Sequence, residues 1–183
     1  MSRIGKKPIS IEKGVTVSIE NGIVHFSGSR GQLDITLGDG VRVKQTDSNL
    51  VVSVANEESR PLQGLFRTLL NNAIIGVTGG WTKKLELVGV GFRAESTGSE
   101  LTLNVGFSHS VKIKAPSGIT FTVSENKITV SGADKYLVGE TAAKVKAVKP
   151  PEHYKGKGIR YEGEIIRKKA GKAAKVVGGA ATK

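Results

Sequence analysis

The chain has 183 residues, no cysteine, and 28 Lys+Arg against 16 Asp+Glu, for a formal net charge of +12. That length can bury one generous core or two small ones, and the missing cysteine excludes disulfides, thiolate zinc sites and cysteine nucleophiles. The positive excess favours a polyanion, nucleic acid before an acidic membrane surface, and no apolar run approaches the ~18–20 residues of a membrane span.

The opening Met1-Ser2-Arg3-Ile4-Gly5-Lys6-Lys7-Pro8 reads as a basic arm. No apolar core follows its charges, so a soluble, intracellular protein without a signal peptide is expected. Val15, Val17 and Ile19 then alternate with polar residues up to Asn21-Gly22, a two-residue hairpin turn, and Ile23 to Phe26 returns as a second strand. Leu33 to Leu37 and Val41 to Lys44 alternate on either side of Gly38-Asp39-Gly40, and Leu50 to Val54 forms a denser, more central strand. The period then changes. Leu62, Leu65, Phe66, Leu69, Leu70, Ala73, Ile74 and Val77 recur every three or four residues, one face of an amphipathic helix. Asn56 or Ser59 can cap it, Pro61 suits its first turn, and Gly79-Gly80 ends it. A second series of strands runs from Leu85 to Val130, and Asp134 opens a shorter helix that stops before Pro150.

Strands followed by one helix, twice, predict a duplication. At an offset of 78 residues the halves align without a gap from Gly28 to Val54: Leu33 falls on Val111, Ile35 on Ile113, Gly40 on Gly118, Val41 on Ile119, Leu50 on Ile128 and Val52 on Val130. The predicted fold class is therefore α+β: a tandem duplication of an antiparallel β-sheet unit packed against one helix, with a basic C-terminal tail. The two domains are expected at 1–82 and 83–183; one long sheet fused across both halves is the competing arrangement. A last strand is expected around Tyr161, Gly163 and Ile165, and the Ala/Gly/Lys residues beyond Lys169 lack the apolar content to offset the entropy of ordering.

Charge is unevenly spread. Residues 1–82 carry nine basic and seven acidic groups, whereas residues 150–183 carry nine and three. Within that last stretch, Pro150-Pro151-Glu152-His153-Tyr154-Lys155-Gly156-Lys157-Gly158-Ile159-Arg160-Tyr161 sets cations between glycines. The glycines leave the backbone free to lie close to a partner, and Tyr154 and Tyr161 offer flat faces for stacking. The spacing fits phosphate groups and fits equally a solvated, flexible loop. Lys144, Lys146 and Lys149 either continue the basic surface or form the solvated side of an ordinary helix.

Catalysis finds no constellation. His25, His109 and His153 are far apart with no ligand partner at helical or loop spacing, so neither metal nor triad chemistry is expected. Gly106-Phe107-Ser108-His109-Ser110 resembles a nucleophile elbow but ends in serine and lies between strands, as a hairpin loop would. Gly89-Val90-Gly91 lacks the third glycine and the helix of a dinucleotide fingerprint. Gly28-Ser29-Arg30-Gly31 joins two strands rather than the two helices of an RNA-clamping Gly-x-x-Gly, so it reads as a turn; Trp81 and Phe92 suit core contacts better than base stacking. Membranes would ask for cations opposite a large apolar helix face, which is not where they lie.

The nine residues Pro151 to Ile159 resemble the signature of the bacterial large-subunit ribosomal protein six family. The opening Met1 to Pro8, the Val88 to Ala94 stretch and the continuation through Arg160, Tyr161, Glu164, Arg167, Lys169, Gly171 and Lys172 are similar to that family too. His153 departs from it, since proline is common there. The resemblance spans essentially the whole chain. It implies a non-enzymatic constituent of the large ribosomal subunit that binds 23S rRNA, near the stalk base and the region where translational GTPases dock. It also implies neighbouring large-subunit proteins as partners, with no cofactor, metal, membrane or small-molecule substrate. The rRNA-binding residues expected are Tyr154, Lys155, Gly156, Lys157, Gly158, Arg160, Arg167, Lys168, Lys169 and Lys172. The alternatives are a basic nucleic-acid-processing enzyme with an unrecognised site, or an adaptor for acidic proteins.

Overall fold

The computed structural model describes residues 3–46, 48–57, 59–169 and 171. The first repeat contains α1 (Arg3–Lys6), β1 (Ile9–Ser10), β2 (Thr16–Glu20), β3 (Ile23–Gly28), β4 (Gly31–Thr36), β5 (Val41–Thr46), β6 (Asn49–Val54) and α2 (Arg60–Thr78). The second contains β7 (Trp81–Val88), β8 (Arg93–Ser96), β9 (Glu100–Asn104), β10 (Val111–Lys114), β11 (Ile119–Ser124), β12 (Lys127–Gly132), α3 (Lys135–Val148) and β13 (Gly158–Tyr161). The fold is α+β, and each repeat holds two small sheets rather than the single sheet expected. Their orders are β1-β6-β5 with β2-β3-β4, and β11-β12-β7-β13 with β10-β9-β8.

The duplication is visible in individual hydrogen bonds. Val41 N–H donates to Gly38 O at 3.1 Å and Ile119 N–H to Pro116 O at 3.1 Å; Leu37 N–H donates to Gly22 O and Ala115 N–H to Ser99 O, both at 2.8 Å. Burial follows. Leu50 and Val52 of β6 and Ile128 and Val130 of β12, matched at the 78-residue offset, are all buried. One strand breaks the offset. Phe26 pairs with Leu33 in the first repeat and Leu103 with Val111 in the second. Six residues separate the first pair and seven the second, so the span between these matched pairs is one residue longer in the second repeat.

Chain contacts gather into two compact units that are not contiguous in sequence. One joins the chain up to Thr82 with Pro116–Ile119 and Ser131–Gly139; the other joins Lys83–Ala115, Thr120–Val130 and the chain from Glu140 on. In the first unit, α2 buries Phe66, Leu70, Ala73, Ile74 and Val77 at helical spacing, against Val24, Phe26, Leu50 and Val52. Leu65 and Leu69, expected on that face, stay 51% and 39% exposed. Ser59 occupies the N-cap without a side-chain bond, Pro61 sits in the first turn and Gly79 is the C-cap. Gly80 follows at φ +79°. Gly76 lies so close to Ala133 O that no side chain would fit.

In the second unit, Leu85, Leu87, Leu101, Leu103, Ile128, Val145 and Ile159 are buried. Asp134 caps α3, its carboxylate accepting from Tyr136 N–H at 2.8 Å. The last strand is earlier than expected: β13 ends at Tyr161, Gly163 takes φ +79°, and Glu164 N–H turns back to Tyr161 O at 3.0 Å. Ile165, expected in that strand, is 91% exposed.

Candidate nucleic-acid interface

The basic loop is a closed hairpin. Pro150 and Pro151 cannot continue α3, and the chain returns through Glu152 N–H to Lys157 O at 3.0 Å and Ile159 N–H to Lys149 O at 2.7 Å. β13 then pairs antiparallel with β7, Gly158 opposite Val88 and Tyr161 opposite Leu85, and Ile159 is fully buried beneath it. The two glycines serve this closure. Gly156 has φ +74° and Gly158 φ +145°, and both are buried. A Cβ on Gly158 would stand 2.6 Å from Pro150 O and Pro151 Cα. Close backbone approach was expected to an outside partner; at Gly158 it is to the chain's own prolines.

Ion pairing sorts the cations into two sets. Arg160 donates through Nε and Nη2 to Glu86 Oε2 at 3.0 and 2.9 Å, across the β13–β7 pair that sets the two residues opposite each other. Lys146 Nζ reaches both Glu164 oxygens at 2.6 and 2.7 Å. Lys127 lies 2.8 Å and Lys84 3.8 Å from Glu162, and Lys144 lies 2.7 Å from Glu140. The Lys146 hydrogen bond, with Tyr161 N–H behind it, holds the Glu164 carboxyl below its ordinary range; the Lys127 hydrogen bond does the same for Glu162 and raises the Lys127 ammonium in return.

Lys155, Lys157, Arg167, Lys168 and Lys169 belong to the other set, as do Lys83, Arg93, Lys112, Lys114 and Lys149; among the described residues none of them has a carboxylate partner. Only the first five are exposed on the loop and the chain returning to it. The chain after Glu164 brings them together: Lys169 N–H donates to His153 O at 2.8 Å, and Lys168 Cε lies 3.4 Å from the Cβ position of Gly156. Lys172 lies outside the described residues. The two tyrosines differ. Tyr154, at the loop tip, is 62% exposed. Tyr161 is half-buried with its ring already beside Lys146 Nζ, 4.6 Å from the centroid.

Other chemistry is sparse. Among the described residues no group of three or more His, Asp or Glu could hold a metal, and no helix is long and apolar enough to cross a membrane. One pairing was missed from sequence: His25 Nδ1 meets Asp34 Oδ1 at 2.7 Å across the β3–β4 pair. Its sequence signal was strand parity, because both alternate onto one face. A hollow of about 520 Å³ in the first unit, beside Leu33, Ile35, Leu69, Ala73 and Tyr136, is mostly apolar.

The sequence profile of the family described as Ribosomal protein L6 matches residues 11–80 and again residues 88–162, once per repeat. The chain belongs to the ribosomal protein L6 family. It is similar to the Large ribosomal subunit protein uL6 of Synechococcus sp. (strain WH7803), 53% identical over 178 residues that cover 96% of this chain and 99% of the relative. The protein of that name from Dictyoglomus thermophilum is 52% identical over 179 residues, with the same coverage. That from Syntrophomonas wolfei is 50% identical over 176 residues, covering 94% and 98%. The ribosomal protein L6 family is structural rather than enzymatic.

Proposed function

We propose that the chain is a structural constituent of the large ribosomal subunit and binds 23S rRNA through the second repeat, near the stalk base and the docking region of translational GTPases. Neighbouring large-subunit proteins complete its surroundings, and the cytoplasmic ribosome is its location. The observation that carries this reading is the partition of charge. Carboxylates of the second unit neutralise Lys84, Lys127, Lys144, Lys146 and Arg160. Of that unit's described exposed cations without a carboxylate partner, Lys83, Arg93, Lys112 and Lys114 are spread over strands β7, β8 and β10, whereas Lys155, Lys157, Arg167, Lys168 and Lys169 gather on one loop and the chain returning to it. Solvated lysines would need no such gathering; a run of phosphates would.

In this reading Lys155, Lys157, Arg167, Lys168 and Lys169, with Lys172 beyond them, neutralise phosphates and release counterions. Recognition is of RNA shape, since the deep groove of A-form RNA hides base edges from side chains. Gly156, Gly158 and Arg160 build and hold the loop rather than touch RNA, and Tyr154 stacks from its tip. Residues 1–82, nearly balanced in charge, form one domain that contributes little to rRNA binding, and 83–183 form the binding domain. The test is sedimentation of tagged full-length protein with ribosomal subunits across a salt series. Travel with the large subunit at low and moderate salt is expected; protein that stays at the top of the gradient throughout would end the proposal.

A further inference from the structure

Three loops converge at one end of the second unit. Val88, last in β7, faces Gly158, first in β13; Arg93, first in β8, faces Asn104, last in β9; Leu103 faces Val111, first in β10. Loops 89–92, 105–110 and 149–157 therefore leave the sheets side by side. Contacts agree: the Phe92 ring lies 3.4 Å from the Cβ position of Gly106, and Lys149 Nζ stands 4.7 Å from the Phe107 ring centroid.

The middle loop differs from its copy. In the first repeat the strands pair down to Gly28 and Gly31 around Ser29-Arg30, and that turn is bonded to α2 by Arg30 N–H to Val77 O at 3.0 Å and Ser29 Oγ to Thr78 O at 3.0 Å. In the second, pairing stops at Leu103 and Val111, and Gly106 through Ser110 are all exposed. Phe107, 43% exposed, and His109 set their rings nearly parallel, 20° apart with centroids 6.2 Å from each other. Two near-parallel rings with an ammonium beside them and serines around them suit the flat, polar-edged face of a nucleobase. They suit a protein partner less, because that would call for a contiguous apolar patch.

We propose that the Phe107–His109 pair is a stacking platform for an unpaired base of the bound rRNA, with Lys149 placed at an adjoining phosphate and continuous with the 149–157 loop. The inference rests on the rRNA-binding reading above and adds a second mode of contact to it. The probe is a large-subunit rRNA fragment titrated into the full chain across a salt series. Phe107→Leu should weaken binding about 5- to 150-fold, the range of one stacked base, with the log–log salt slope unchanged. Phe107→Trp keeps a flat ring, so it should bind as the parent does, and its added emission over Trp81, the sole native tryptophan, should be quenched by the RNA. If the parent does not bind the fragment, both readings fall. If the parent binds and Phe107→Leu binds equally well, or the added emission of the Phe107→Trp variant is unquenched, the platform alone is refuted. A loss accompanied by a slope flattened by about 0.7–0.9 would also refute it, because Phe107 would then only seat the Lys149 ammonium.

Discussion

Replacing Lys155 and Lys157 together by Ala isolates the electrostatic part of the binding. Both side chains are exposed, and the loop is closed by the backbone bonds Glu152 N–H to Lys157 O and Ile159 N–H to Lys149 O, which alanine keeps. The thermal melt should therefore stay close to the parent's. Each phosphate contact contributes about 0.7–0.9 to the log–log salt slope, so the double variant should flatten it by about 1.4–1.8. Over a fourfold rise in salt, the affinity deficit of the variant should shrink about seven- to twelvefold. The assay is equilibrium binding to a large-subunit rRNA fragment between about 50 and 200 mM salt, the range in which such losses are large. Arg42→Ala with Lys44→Ala, exposed on β5, is the matched control and should leave the slope near the parent's. An unchanged slope for the Lys155/Lys157 variant would show that this loop is not the phosphate contact and shift that role to Arg167, Lys168 and Lys169.

Arg160→Ala should act on stability instead. It leaves the half-buried Glu86 carboxylate without its two donors, costing about 1–2 kcal/mol in a denaturant titration while the salt slope holds. Gly158→Ala should lower the melting temperature by several degrees: positive φ and a Cβ 2.6 Å from Pro150 O and Pro151 Cα together cost about 2–4 kcal/mol, at about 2–4 °C for each. A melt equal to the parent's would show that the prolines give way. The Glu164 carboxyl is held below its ordinary value of 4.5 by Lys146 and Tyr161 N–H, so its contribution to stability is full above that value and lost as pH falls through the depressed one. Glu164→Gln should melt below the parent at neutral pH and match it in acid.

How much was legible in the sequence depended on the range of the signal. The α2 face was legible because its apolar residues repeat every turn, although Leu65 and Leu69 stay exposed since the stripe that meets the sheets is narrower than the apolar stripe in sequence. The strands were legible from alternation, yet alternation does not say which strand pairs with which, so two sheets per repeat were expected as one. Ile9–Ser10 is too short to show any period. The final strand was misplaced because Tyr161, Gly163 and Ile165 alternate on paper, whereas Gly163 adopts positive φ and turns the chain.

For the site, net charge per segment was legible and its partition was not. Arg160 and Glu86 are 74 positions apart, and only the pairing of β13 with β7 reveals that one neutralises the other. The loop glycines were open to a second explanation for the same reason: permissive backbone lets a chain approach either a ligand or itself, and Pro150-Pro151 claims Gly158. The duplication offers a control that composition cannot. Equivalent positions in the first repeat close on Ser29-Arg30 and bond to α2, whereas the second repeat inserts a residue, ends its ladder early and turns Phe107 and His109 outward. Where two copies of one unit share buried positions and differ in a single loop, the shared residues report the demands of the core. The divergent loop has no such constraint, so its exposed rings and the cations beside it point to a demand from outside the fold.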